Sequence, residues 1–248
     1  MIEIKIGGVP EHFNLAWYLT LKNGAYKNEG INLRWKDYPG GTGEMCKALK
    51  NKEIDLAVVL TEGIIKDIIE GNAVKIIQTF VQSPLIWGIH ASKSFVKSGK
   101  PLSKAKFARS RVGSGSHIMA YVLAEQNNFE ITESNFETVG NIDGALEAFE
   151  TGTADVLLWE KFMTQPYVDA GKVDRVGECV SPWPCFVLVA SQKFLDVNSN
   201  LILALSDAII MASETAMKRK STVLEIAKMY NLQIKQVEQW YSSVEWQT

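Results

Sequence analysis

Apolar and charged side chains alternate over Ile2–Ile6 and stop at Gly7-Gly8, the pattern of a strand running into a turn. After Pro10-Glu-His-Phe-Asn14 the period changes. Leu15, Ala16 and Leu19 recur at helical spacing up to the helix stop Asn23-Gly24. A second strand is predicted over Ile31–Tyr38, broken by Pro39-Gly-Gly-Thr-Gly43. A helix over 44–51 and a third strand, Ile54–Leu60, follow. Ile64, Ile65, Ile68 and Ile69 form a helical stripe ending at Gly71-Asn72, and Val74–Val81 reads as a fourth strand. Such alternation implies parallel pairing with right-handed crossovers.

The same order recurs. Gly43–Gly63 matches Asp143–Lys161 at an offset of 100, with Ala48 on Ala148, Leu49 on Phe149 and Asp55 on Asp155. Lys5-Ile-Gly7 corresponds to Arg111-Val-Gly113 and Ala16-Trp-Tyr-Leu19 to Ala120-Tyr-Val-Leu123. A period this long marks a duplicated lobe, since solenoid repeats run roughly 20–50 residues. The second copy predicts strands at 136–139, 156–159 and 173–179 and a short helix over 162–169. Ser83-Pro84 and Ser181-Pro182 close the two copies and read as crossings between lobes. Lys93–Lys106 reads as the loosest stretch. The tail carries one helical stripe (Leu201, Leu205, Ala208, Ile209, Ala212) and two shorter helices, Val223–Tyr230 and Lys235–Tyr241.

Composition narrows the function class. The 248 residues carry 26 basic and 28 acidic side chains, and no basic block beyond Lys218-Arg-Lys220, so nucleic-acid binding has no electrostatic footprint. The apolar runs Leu56–Leu60 and Cys185–Ala190 are too short to span a bilayer. Ile2–Ile6 leaves no room for a leader, so the chain as it stands reads as cytoplasmic, or as extracytoplasmic if a leader was removed. Cys46, Cys179 and Cys185 show no CxxC spacing and read as small buried side chains. Clustered His/Cys/Asp spacing, GxSxG and Walker loops are all missing, which favours binding over catalysis, and no metal site and no cofactor is expected.

Five short stretches stand out along the chain: Gly7-Gly8, Lys27-Asn-Glu-Gly-Ile31, Gly40-Gly-Thr-Gly43, Ile54-Asp-Leu-Ala57 and Ser114-Gly-Ser116. In them the sequence resembles the type II periplasmic-binding-protein family, in its nitrate, sulfonate, taurine and thiamine-pyrimidine substrate-binding branch. The resemblance implies two Rossmann-like α/β lobes, residues 1–88 with 185–248 and residues 89–184, joined by two hinge crossings around a ligand cleft. Extra helices follow at the C-terminus. It implies a monomeric solute-binding protein that closes on a small molecule, with an ABC permease as partner if exported. The alternative it offers is a cytoplasmic enzyme of the same fold, acting on a thiamine-pyrimidine-like or menaquinone-precursor-like substrate.

Ligands of open α/β sheets bind beyond the carboxyl ends of the strands. Those ends carry Pro10, Glu11, His12 and Phe13, then Gly40, Gly41 and Thr42, then Thr61, Glu62 and Ser83. In the second copy they carry Ser114, Gly115, Ser116 and His117, then Asn141, Trp159 and Glu160, with Trp183 after the second crossing. The loops 40–42 and 114–116 lead into helices, whose free N–H groups suit an acidic ligand group. Equally, those glycines serve tight turns and Thr42 or Ser116 caps. The carboxylates Glu11, Glu62, Asp143 and Glu160 favour N–H donors or cations, and Phe13, Trp159 and Trp183 suit a flat ring. The balance leans to an aminated heterocycle, a zwitterion or a small organic anion. His12 and His117 open the first helix of their lobes, where the imidazole stays neutral; His117 is the acid–base candidate if the protein is an enzyme.

Overall fold

A computed structural model describes every residue except Glu29, Lys220 and Thr248. Glu29 of the Lys27–Ile31 match and Lys220 of the basic triplet therefore lie outside the described residues. The chain divides into two compact units, Met1–Ser83 with Trp183–Thr248, and Pro84–Pro182.

The first unit runs β1 (Ile2–Gly8), α1 (Leu15–Asn23), α2 (Ala25–Asn28), β2 (Ile31–Asp37), α3 (Thr42–Lys50), β3 (Leu56–Leu60), α4 (Thr61–Ile69) and the first half of β4 (Val74–Ala91). β1 pairs in parallel with β2 and with β3, as alternating strands and helices require. Ile4, Ile6, Leu56, Ala57, Val58 and Val59 are buried from both sides. The Gly7-Gly8 pair has a packing cause. A Cβ on Gly7 would sit 2.7 Å from the Tyr38 ring, and one on Gly8 2.3 Å from the Trp35 ring. Only glycine lets both aromatic side chains lie on the strand backbone.

The second unit begins in β4 and continues through α5 (Lys93–Ser98), β5 (Phe107–Arg109), α6 (Gly115–Gln126), β6 (Phe136–Thr138), α7 (Ile142–Thr151), β7 (Val156–Glu160) and α8 (Gln165–Asp169) to the first half of β8 (Asp174–Ser191). β5 pairs in parallel with β6 and β7. Its core joins Ala108, Ala145, Ala148, Phe149, Leu157 and Val173. The repeat is exact in places: β3 and β7, like β4 and β8, have bounds 100 residues apart.

Three expectations change. β4 and β8 are continuous 18-residue strands, not short strands on either side of a break. Proline removes one donor but keeps an extended φ, and the ladder adapts locally: Leu85 donates its N–H to Ser181 Oγ at 3.0 Å. Pairing at the fourth position is also antiparallel, β3 against β8 and β4 against β7. The stretch read as loose is organised. Ser92 caps α5 by accepting from Phe95 N, and a 3₁₀ turn follows at Leu102–Lys104.

The chain returns to the first unit through β8 and ends in α9 (Gln192–Lys218), α10 (Thr222–Tyr230) and α11 (Ile234–Tyr241). α9 breaks its helical geometry at Asn198 and buries Leu205, Ile209, Ser213 and Ala216. By length and composition alone it is apolar enough to cross a membrane, which contiguous apolar runs did not reveal. α9 packs against α1.

Candidate functional site

In the first unit the carboxyl ends of β1, β2 and β3 carry the loops at 9–14, 38–41 and 60–62. Tyr38 N–H donates to Gly8 O at 2.9 Å and links the first two loops. α3 starts after Gly41 (φ +71°), which has no side chain to cap it, and α4 starts after Leu60, which also offers no cap. The two starts touch. A Cβ on Gly63 would lie 2.7 Å from Thr42 Cγ2, and Thr42 Oγ1 accepts from Leu60 N at 3.0 Å. Two helix N-termini that their N-cap residues leave uncapped therefore lie side by side, and their positive dipole ends add, while Gly40 N is taken by Glu44 Oε2 in the first turn of α3 at 2.9 Å.

Glu62 stands in the first turn of α4 and is 8% exposed. Its Oε2 accepts from Trp183 Nε1 at 2.8 Å, while Oε1 is buried without a partner. Burial pushes its carboxyl above the usual range, partly offset by the indole and by its own backbone N–H. Thr61 is committed elsewhere, its hydroxyl donating to Pro184 O at 2.5 Å. Ser83 Oγ accepts from Glu245 N at 3.0 Å and so holds the C-terminal segment.

The 9–14 loop is held by residues the sequence reading did not name. Tyr230 Oη donates to Glu11 O at 2.8 Å and Trp246 Nε1 to Phe13 O at 3.0 Å. Burial raises the Glu11 carboxyl to about 7. The His12 imidazole, expected to donate or accept a hydrogen bond, makes none. Its ring is enclosed by Trp240 at 4.1 Å, Phe13 at 4.7 Å and Tyr230 at 6.0 Å, and neither nitrogen has a partner. The imidazole is neutral because desolvation lowers its pKa to about 3. A helix N-terminus is not the cause, since a 3₁₀ turn begins here and α1 starts only at Leu15. The concentration of aromatic residues in the tail, Trp240-Tyr241 and Trp246, was the available signal.

The equivalent positions of the second unit are engaged within the unit. Ser114 caps α6 by accepting from His117 N, and Ser116 Oγ accepts from Ser110 N at 3.0 Å. Gly115 is the first residue of α6, following that cap. Asn141 caps α7 through Gly144 N at 3.0 Å. Trp159 packs on the core of Ala145 and Leu157, and Glu160 Oε2 accepts from Met163 N at 2.5 Å. His117 Nδ1 accepts from Gly113 N at 2.9 Å and Nε2 lies 3.0 Å from Arg109 Nη1. Arg109 also pairs with Glu133 and lies 5.2 Å from the Phe136 ring. Both ring nitrogens of His117 are thus occupied. Among the described residues no group of three His, Cys, Asp or Glu side chains is placed to hold a metal ion.

A solved structure described as a conserved Candida albicans gene product, CA3427, "exhibiting the generic periplasmic binding protein structural fold", superposes with a TM-score of 0.90. It covers 99% of this chain and 82% of its own, at 24% identity. The chain has the type II periplasmic-binding-protein fold. Residues 87–179 match the family described as Ca3427-like periplasmic binding proteins. Other proteins of this fold are similar at lower identity. The periplasmic aliphatic sulphonate binding protein SsuA of Escherichia coli gives a TM-score of 0.74 at 15% identity, covering all of this chain and 86% of its own. The periplasmic nitrate-binding protein NrtA of Synechocystis gives 0.68 at 12% identity, covering 94% and 68%. No curated protein matches by sequence.

Proposed function

We propose that this protein binds a small organic solute, and that the carboxyl-end loops of its first unit hold an acidic group of that solute. The observation that carries the reading is the pair of adjacent helix starts at Thr42 and Thr61, neither of them capped by the residue before it. In the second unit, Ser114 and Asn141 spend their side chains on the corresponding helices. An oxyanion at the first pair receives backbone N–H groups and two dipole ends without any Arg or Lys. The SsuA and NrtA proteins of the same fold are described as binding a sulphonate and nitrate, which supports a solute-binding role. The positions of His117 and Glu160 add nothing to the enzyme reading, since their polar atoms are committed locally.

Mass spectrometry of small molecules retained by the purified protein, followed by thermal-shift assay of each with wild type and Gly41→Glu, tests this reading. A retained organic acid that raises the wild-type melting temperature and leaves Gly41→Glu unmoved is expected. Equal stabilisation of both proteins would sink the reading.

A further inference from the structure

We infer that Glu62 selects a ligand bearing an ammonium or other N–H donor group, accepted by the free Oε1 of its carboxyl. The inference rests on the solute-binding reading and makes the solute a zwitterion or an aminated acid.

The argument begins with the two oxygens. A carboxylate accepts hydrogen bonds and cannot donate them, so each buried oxygen needs a donor. Trp183 Nε1 supplies one to Oε2 at 2.8 Å, which also fixes the direction of the carboxyl. Oε1 has none, although Glu62 is 8% exposed. The neighbouring side chains do not compete for that role. Thr61 donates to Pro184 O, and the Thr42 hydroxyl, which accepts from Leu60 N, does not reach Oε1. The turn holding Glu62 rests on the turn that opens α3, through Gly63 and Thr42. An unmet acceptor thus lies in the same two turns as the amino-terminal ends of α3 and α4. A bare oxyanion brought there would meet repulsion from the carboxylate. A molecule with an acidic group and an amino group satisfies both.

Isothermal titration of wild type, Glu62→Gln and Glu62→Asp with matched pairs tests the inference. The pairs are taurine with ethanesulfonate, β-alanine with propionate, and 4-aminopyrimidine-5-carboxylate with pyrimidine-5-carboxylate. In at least one pair the aminated member should bind wild type about tenfold tighter or more, as a charge-assisted hydrogen bond implies. Glu62→Gln should lose that margin, and Glu62→Asp, which keeps the carboxylate, should retain the order. Equal binding of both members of every pair overturns the inference and leaves solute binding intact. An undiminished margin in Glu62→Gln also overturns it. Failure of all six compounds to bind wild type overturns the inference, while the molecules retained by the purified protein decide solute binding separately. Should Glu62→Gln not fold, the wild-type comparison and Glu62→Asp decide.

Discussion

Asp155 repeats the bond made by Asp55. Asp55 Oδ2 accepts the N–H of Lys5 at 2.9 Å, and Asp155 Oδ2 accepts that of Lys106 at 2.9 Å. Each carboxylate thereby ties the entry of the third strand of its unit to the first. The main chains repeat the arrangement, with Ser191 N donating to Asp55 O and Ser92 N to Asp155 O, at 2.8 and 2.9 Å. Both aspartates stand at the amino ends of β3 and β7, away from the candidate site. Asp55→Ala and Asp155→Ala should each cost about 0.5–1.5 kcal/mol in urea unfolding, the usual worth of such a bond, with no change in ligand-induced stabilisation.

Glu11 predicts a pH dependence. Its carboxyl is raised from 4.5 to about 7, so between those values the folded state holds a proton that the unfolded state releases. Stability from this group is therefore full below about pH 4.5 and is lost as pH rises towards 7. Glu11→Gln should raise the melting temperature at pH 8 and leave it nearly unchanged at pH 4. A difference independent of pH would show that Glu11 does not titrate in this window.

His12 acts in the opposite sense. With its pKa lowered from 6.5 to about 3, the unfolded state takes up a proton that the folded state refuses. Stability from this group is present above about pH 6.5 and falls as the solution is acidified towards pH 3. His12→Phe keeps a ring among Phe13, Tyr230 and Trp240 and removes two unpartnered nitrogens. Melting curves of this variant should lose less stability than wild type between pH 7 and pH 4.

Trp246 tests the hold of the tail on the 9–14 loop. It is 3% exposed, donates to Phe13 O and packs edge-on to Trp240 at 5.6 Å. Trp246→Ala should cost about 3–5 kcal/mol, the usual penalty for emptying such a site. Trp246→Phe should cost about 1–3 kcal/mol, because Phe13 O then loses its donor. Denaturant titration separates the two.

Gly144 is a steric requirement of α7. A Cβ there would lie 2.0 Å from Val139 O, an atom of the main chain that cannot swing away. Gly144→Ala should destabilise by about 1–3 kcal/mol despite the better helix propensity of alanine, and a stabilised variant in thermal melts would contradict the geometry.

The repeat was the most legible feature, because helix and strand periods are written in neighbouring residues. Strand and helix positions followed, and Glu62 and Trp183 were both named from where strands end. That they bond to each other was not legible, since 121 residues separate them. His12 fails for the same reason. Its chain neighbours suggested a polar helix start, whereas residues more than 200 positions later enclose it in aromatic rings. The serines of 114–116 resembled an open anion loop as closely as Gly40–Thr42 did. Only side-chain direction shows that Ser114 caps its own helix and that Gly41 leaves α3 uncapped.

The insertion of one unit within the other has a consequence for synthesis. Pro84–Pro182 is a continuous stretch and leaves the ribosome complete. The first unit waits for Trp183–Thr248, and until β8 arrives the exposed edge of β3 lacks its antiparallel neighbour. An apolar strand of Leu-Ala-Val-Val-Leu with an unpaired edge is the kind of segment that associates with other chains. The nascent polypeptide is therefore most vulnerable between the synthesis of β3 and that of Phe186–Ala190, and a truncation before Phe186 leaves that edge permanently open.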